Sequence, residues 1–251
     1  MSDYRIGLVV EGITDRIVIE SALNKIFADH TYTLIQLQPE LSDGLNKGGF
    51  GSTGSGWGGV YQWCRQMVNM DIALQDNLFL QKFDIIIIHL DADVAEKNYQ
   101  QANIANPVKN DLPCVQPCPP ASHTIQTLEQ VVLGWLSLKE QLPEPFVMCI
   151  PSKCTEAWVA IALYGKSDQN ILVDIECHSN IENYLAQKPA RERVIRNRSG
   201  RMKKITQKYS EKSGQISSQW DYITQKCHQA ERFTQHIVAM REIFCRNLTV
   251  F

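Results

Sequence analysis

The sequence predicts an α/β protein: a Rossmann-like core with a mainly parallel sheet flanked by helices, followed by a helical C-terminal extension. Three observations lead there. Residues 84–90, Asp-Ile-Ile-Ile-Ile-His-Leu, are a short β-branched run of the kind buried on both faces of a sheet, and residues 4–10 read the same way up to the break at Gly12. Between and after these runs lie longer amphipathic stretches with helical spacing, and alternation of short apolar strands with helices is the signature of a parallel sheet. At 251 residues and 44% hydrophobic, the chain is long enough for one sizeable core.

Residues 4–10 form the first predicted strand, leading into a helix over residues 16–27 capped by Thr14, with Asp15 in its first turn and Val18, Ile19, Ala22, Leu23, Ile26 and Phe27 on its packing face. Residues 32–37 read as the second strand. The segment 44–59 then holds eight of the 14 glycines. It ends in no Gly-Lys-Ser/Thr and does not join a strand directly to a helix, so it is neither a P-loop nor a dinucleotide fingerprint. It reads either as a loop over the active edge, meeting substrate through Lys47 and Trp57, or as a plain flexible linker. Residues 60–80 are expected to be helical and to lead into the strand at 84–90. Residues 96–120 form a polar, Pro-rich excursion, and residues 124–141 an amphipathic helix with Ile125, Leu128, Val131, Val132, Trp135 and Leu138 inward. A short strand over 145–150 precedes a helix with Glu156 in its first turn, whose residues 157–163 are apolar nearly all round and so buried. We therefore divide the chain into a core over residues 1–165 and a basic, helical extension over 166–251 packed on it, including helices at 216–227 and 230–244, the latter with a stripe of Phe233, Ile237, Met240, Ile243 and Phe244.

Charge is unevenly distributed. Residues 188–212 hold ten Lys/Arg and two acids, whereas the rest of the chain carries 15 bases and 25 acids. Such a stripe suits phosphate contact, with Arg191, Arg193, Arg196, Arg198, Arg201, Lys203 and Lys204 as candidates alongside Lys47 and Lys153. A solvated surface or an acidic protein partner is the competing reading. No 18-residue apolar run and no signal-peptide pattern is present, so a soluble, cytoplasmic protein is expected. Among the eight cysteines, Cys114, Cys118 and His123, with Cys149, Cys154, Cys177 and His178 beyond, do not match usual zinc spacing, and most cysteines are expected to be buried thiols.

The acids carry the chemistry. Glu11 follows the first strand, and Asp91 and Asp93 follow the strand at 84–90. If these strands are parallel neighbours, the three acids converge at the carboxyl edge of the sheet, where open α/β folds place their sites. Carboxylates packed together repel, and an oxygen-rich set favours Mg²⁺ or Mn²⁺ over zinc. Glu156 is a candidate to complete the set, or simply a partner for a helix dipole. His89 is read as a buried strand histidine bonded to backbone, outside the catalytic set.

The segment Val9-Val10-Glu11-Gly12-Ile13-Thr14-Asp15 with its following helix, together with Asp91-Ala92-Asp93 after an apolar strand, resembles the Toprim domain. That is the topoisomerase–primase fold shared by type IA and II topoisomerases, bacterial primases, OLD-family nucleases and a ribosomal-RNA maturase. Thr155-Glu156-Ala157-Trp158 is similar to a third segment found in small bacterial Toprim-like proteins, and Val94-Ala95-Glu96 departs from the Gly that topoisomerases and primases often carry after their paired acids. The resemblance, clear over residues 4–100, implies metal-dependent phosphodiester chemistry in a Toprim core, with Glu11, Asp91, Asp93 and Glu156 as catalytic and metal residues. It leads us to expect a Mg²⁺- or Mn²⁺-dependent endonuclease of the OLD-like, antiviral-defence kind. The expected partners are DNA or RNA, an ATPase or sensor protein and, in a homo-oligomer, a second copy of the chain, with no membrane. The alternative is a non-catalytic Toprim-like subunit that binds nucleic acid or assembles a complex; a phosphatase or nucleotidyl hydrolase is a third reading.

Overall fold

A computed structural model describes residues 4–39 and 54–248, with the side chains from 245 onward outside the description. Lys47 and most of the Gly-rich segment therefore lie outside the described residues. The elements run β1 (Tyr4–Val9), α1 (Ile13–Ile26), β2 (Tyr32–Gln38), α2 (Trp57–Asn69), β3 (Ile85–His89), α3 (Ser122–Trp135), β4 (Phe146–Cys149), α4 (Glu156–Tyr164), α5 (Ile181–Ala186), β5 (Ile195–Arg198), β6 (Arg201–Lys204), α6 (Thr206–Ser218), α7 (Trp220–Lys226) and α8 (His228–Leu248). The expected α/β class holds. β1 to β4 form one all-parallel sheet in the order β2-β1-β3-β4. The winding reverses at β1, so the carboxyl ends of β1 and β3 flank a topological switch point, where doubly wound sheets open a crevice.

Every residue of β3 is buried, as its isoleucine run requires of a strand covered on both faces. Its alternate side chains feed two cores. Ile85 and Ile87 join Leu8, Val18, Leu23, Trp158, Tyr209 and Phe233 on one face, and Ile86 and Ile88 join Trp63, Met67, Leu128 and Trp135 on the other. The first face is closed by α1 and α4 together with α6, α7 and α8, so residues before and after position 165 share one core. Within it Trp158 is fully buried, its ring against Trp220 at 5.2 Å and Phe233 at 6.2 Å, and its Nε1–H donates to Cys227 Sγ at 3.2 Å. We expect Trp158→Ala to cost about 3–5 kcal/mol in a denaturant titration, the range for truncating a large buried aromatic. The α8 stripe is core: Phe233 and Ile237 are buried, and Met240 and Phe244 pack against the same cluster.

Several boundaries differ from expectation. Thr14 is not a cap. It is buried inside α1, whose N-cap is Gly12 with no side-chain hydrogen bond. The helix expected over 60–80 stops at Asn69, where Asp71 takes a left-handed φ of 54° and two single turns follow. The helix expected to reach 141 ends at Trp135, with Ser137 at φ 56° just beyond. The helix expected over 216–227 breaks at Gln219, where α6 gives way to α7. The Pro-rich excursion is packed down: Tyr99, Ile104 and Leu112 are buried, and the Tyr99 hydroxyl donates to Asp111 at 2.6 Å while accepting from Trp135 Nε1 at 2.9 Å.

The largest correction concerns the basic segment, expected to be helical. Residues 195–204 form the antiparallel hairpin β5–β6, with Arg198 opposite Arg201 across a two-residue turn. Ser199 and Gly200 have φ of 52° and 80°, the doubly positive pattern of a type I′ hairpin turn. No helix among the described residues is long and apolar enough to cross a membrane. The cysteines also depart from expectation. Cys64, Cys149 and Cys227 are buried thiols, but Cys118 is disulfide-bonded to Cys177, which removes it from any zinc set with Cys114 and His123.

Candidate metal centre

The carboxyl ends of β1 and β3 bring Glu11 and Asp91 together, as their strand positions require: the Asp91 N–H donates to Glu11 Oε1 at 2.8 Å. His89 lies two residues before Asp91 and is fully buried, its Nε2 3.2 Å from Asp91 Oδ1. That approach is off the hydrogen-bond line and neither ring nitrogen makes a hydrogen bond, so the expected backbone bond is not formed. Glu11, His89 and Asp91 each place one ligand atom within 4.8 Å of the others and could hold a metal ion.

A second group forms behind the first. Asp15 from α1, Asp91 and Glu156 at the start of α4 also place ligand atoms within 4.8 Å of one another. A cation of the chain's own stands there. Lys204, the last residue of β6, sets its Nζ 2.8 Å from Glu156 Oε1 and 3.5 Å from Asp15 Oδ1. The Tyr209 hydroxyl donates to Glu156 Oε1 at 2.7 Å, the Thr155 hydroxyl to Asp15 Oδ1 at 2.7 Å and the Thr155 N–H to Asp91 Oδ1 at 3.2 Å. Glu156 is fully buried and its Oε2 has no partner.

Asp93 belongs to neither group. It pairs with Lys97 at 3.1 Å on the rim of the adjoining cleft. Lys153 is on that rim too, bonded to Glu96 at 2.5 Å, and so does not stand free as a phosphate clamp. The cleft, ≈ 320 Å³, is also lined by Glu11, Trp57, Asp91, His178, Glu182 and Lys204. That is the lower end of the size of small-ligand pockets.

Burial, and next the charge of Asp91, push the Glu11 carboxyl well above its usual range. Burial and then Asp15 push Asp91 up to about 6. Burial acts the same way on Asp15, but the Lys204 ammonium, His89 and the Thr155 hydroxyl outweigh it and hold that carboxyl low. Asp93 is raised by burial, against the pull of Lys97. Lys204 is held charged well beyond the ordinary lysine range, because Glu156, Asp15 and Asp91 overcome its burial. The back of the site is thus neutralised by lysine, while at Glu11 and Asp91 the charged form is disfavoured.

A pH dependence follows. Asp91 binds its proton more tightly folded, near 6, than unfolded, near 3.9. Its contribution to stability is therefore fully present below about pH 4 and lost as pH rises through about 6. Glu11 shifts in the same direction. A divalent ion needs both groups ionised, so the rise in Tm produced by saturating Mn²⁺ is expected to be small at pH 5 and several degrees at pH 7.5. Equal shifts at the two pH values would show that these carboxyls are not the ligands.

The hairpin has two faces. Residues opposite one another on an antiparallel pair share a face, so Ile195, Asn197, Met202 and Lys204 lie on one side and Arg196, Arg198, Arg201 and Lys203 on the other. The first side carries Lys204 to the acids. On the second, Arg196 faces Lys203 and Arg198 faces Arg201, with Arg198, Arg201 and Lys203 exposed. None of the four makes an ion pair among the described residues. Like charges directly opposite are destabilising, so this face gains when an anion lies across it. Of the other basic candidates, Arg191 is exposed and pairs with Glu192, and Arg193 is partly buried beside them.

Asp15, Tyr209 and Thr155 join the site without having been singled out for it. The signal for Asp15 was its spacing of four from Glu11, and for Thr155 its place beside Glu156 in the third quoted segment; Tyr209 left none. Compared with protein-family models, curated proteins and solved structures, the chain matches none.

Proposed function

We propose that the protein is a divalent-cation-dependent nuclease that hydrolyses phosphodiester bonds in DNA or RNA, built on a Toprim-like core. The observation that carries this reading is the convergence of Glu11, His89 and Asp91 at the switch-point crevice; the hairpin that delivers Lys204 there carries four further cations on its opposite face, none in an ion pair among the described residues. Glu11 and Asp91 are the residues that would hold the ion, together with a nitrogen of His89. An ion there would supply a low-pKa water and charge neutralisation at the scissile phosphate. The chain supplies the rest. Lys204 fixes a positive charge behind the crevice, Arg196, Arg198, Arg201 and Lys203 draw in the phosphate backbone, and Trp57 on the cleft wall offers a ring for a base to stack on.

The second reading is a subunit that binds nucleic acid without cutting it. What favours it is Lys204, which neutralises part of the acidic cluster with no metal at all.

The test is incubation of purified protein with plasmid DNA, single-stranded DNA and transfer RNA in Mg²⁺, Mn²⁺ or EDTA, with Glu11→Gln alongside. Cutting that requires metal and is lost in the variant supports the nuclease. Salt-sensitive binding without cutting under any metal replaces it with the binding subunit. In either case, neutralising the four hairpin cations is expected to flatten the plot of log affinity against log salt by about 0.7–0.9 per contact removed.

A further inference from the structure

We propose that His89 ligates the cation directly, and that the centre therefore selects a nitrogen-accepting first-row divalent ion such as Mn²⁺ over Mg²⁺. This rests on the metal-centre reading above and gives it a chemical identity that the acids alone do not.

His89 closes the most apolar strand of the sheet, fully buried, and both its ring nitrogens lack a hydrogen-bond partner. Buried polar atoms are nearly always hydrogen-bonded, so a core imidazole whose Nδ1 and Nε2 make no hydrogen bond, with Asp91 its one ion-pair neighbour, calls for an explanation. Cross-strand pairing sets His89 opposite Cys149, and its ring lies on the same side of the sheet as Ile85 and Ile87, the side from which Asp15 and Glu156 approach.

An ion pair with Asp91 is the first alternative. It would aim an N–H along the line to the carboxylate, but Nε2 approaches Oδ1 at 3.2 Å without meeting that geometry. The distance fits two neighbouring ligands on one ion instead: donors about 2.1–2.2 Å from an octahedral centre stand about 3 Å apart when adjacent. Glu11 supplies a third donor within 4.8 Å of both.

The identity of the donors then narrows the ion. Mg²⁺ prefers oxygen alone and keeps its waters, whereas imidazole with carboxylate suits the first-row transition metals. The neighbouring acid group is served by the Lys204 ammonium, which leaves Glu11, His89 and Asp91 to a single ion.

Pulsed EPR on the full-length protein loaded with Mn²⁺ tests this without relying on activity. We expect ¹⁴N modulation from a coordinated imidazole, kept in His178→Gln and lost in His89→Gln. Should His89→Gln not fold, wild-type protein grown on ¹⁵N-histidine must replace the ¹⁴N pattern by that of ¹⁵N. Calorimetric titration of the wild type is expected to favour Mn²⁺ over Mg²⁺ by at least about tenfold, and His89→Gln to remove most of that preference. Mn²⁺ bound with no histidine nitrogen coupling, and with the ion preference unchanged in the variant, overturns the ligand assignment and leaves an all-oxygen centre standing. No binding of either ion overturns both.

Discussion

Replacing Lys204 with Met in the metal-free protein is expected to lower stability by about 3–5 kcal/mol, the usual consequence of stripping one partner from a buried charge network. The side chain keeps its length and apolar stem, so packing changes little. What is lost is the only ammonium near Glu156 and Asp15 among the described residues, at 2.8 and 3.5 Å. Glu156 is then left fully buried with the Tyr209 hydroxyl, and its second oxygen already has no partner. For a chain of this size each kcal/mol shifts Tm by about 2–4 °C, so the fall is on the order of 10 °C in a melting experiment in EDTA. Two companion measurements identify the cause. Lys204→Met with Glu156→Gln is expected to recover most of the loss, because it removes the stranded charge along with its partner. Mn²⁺ is expected to stabilise Lys204→Met more than the wild type, since Asp15, Asp91 and Glu156 then form a vacant acidic set that an ion can fill. If Lys204→Met melts with the wild type in EDTA, the ammonium is not neutralising the cluster.

The sheet was legible because its information is local. Four consecutive isoleucines and the acids that follow them define β3 and its carboxyl edge within nine residues, and Glu11 after β1 could be placed beside Asp91 by assuming parallel neighbours. The hairpin was not legible from composition, because arginine-rich runs carry little β preference and Ile195 and Met202 were too few to set a period of two. Its one readable sign was Ser199-Gly200, now seen at the turn. The back of the site was harder still. Asp15, Glu156, Lys204 and Tyr209 come from α1, α4, β6 and α6, and nothing local says that a lysine in a basic stripe will turn away from solvent toward acids 48 and 189 residues earlier. That outcome follows from alternation: once the hairpin forms, successive residues must face opposite ways, and one of its cations is delivered to the interior. The disulfide spans 59 residues and joins two irregular segments, so spacing could not reveal it.

Asp91→Asn is expected to move stability and the proposed nuclease activity in opposite directions. The amide keeps an acceptor for the Thr155 N–H at the place of Oδ1 and removes the charge. In the wild type that charge is held against burial and against Asp15, with the carboxyl near 6, so at pH 7.5 and without metal it costs on the order of 2 kcal/mol. The variant is therefore expected to be more stable than the wild type in EDTA at pH 7.5, with that advantage shrinking as pH falls through about 6 and gone below about pH 4, where the carboxyl is protonated in both folded and unfolded wild type. Asp91 is also shared by both groups able to hold an ion. Its replacement is expected to abolish the Mn²⁺-induced rise in Tm and to lower cleavage by at least about a hundredfold, the scale of losing one electrostatic stabiliser at a reacting centre. The two effects would have one source: the wild type holds a carboxylate where a protein without a ligand would do better with none, and an ion bound there would make that arrangement favourable. An Asp91→Asn protein that is no more stable than the wild type in EDTA, yet still responds to Mn²⁺, would place the ion elsewhere in the molecule.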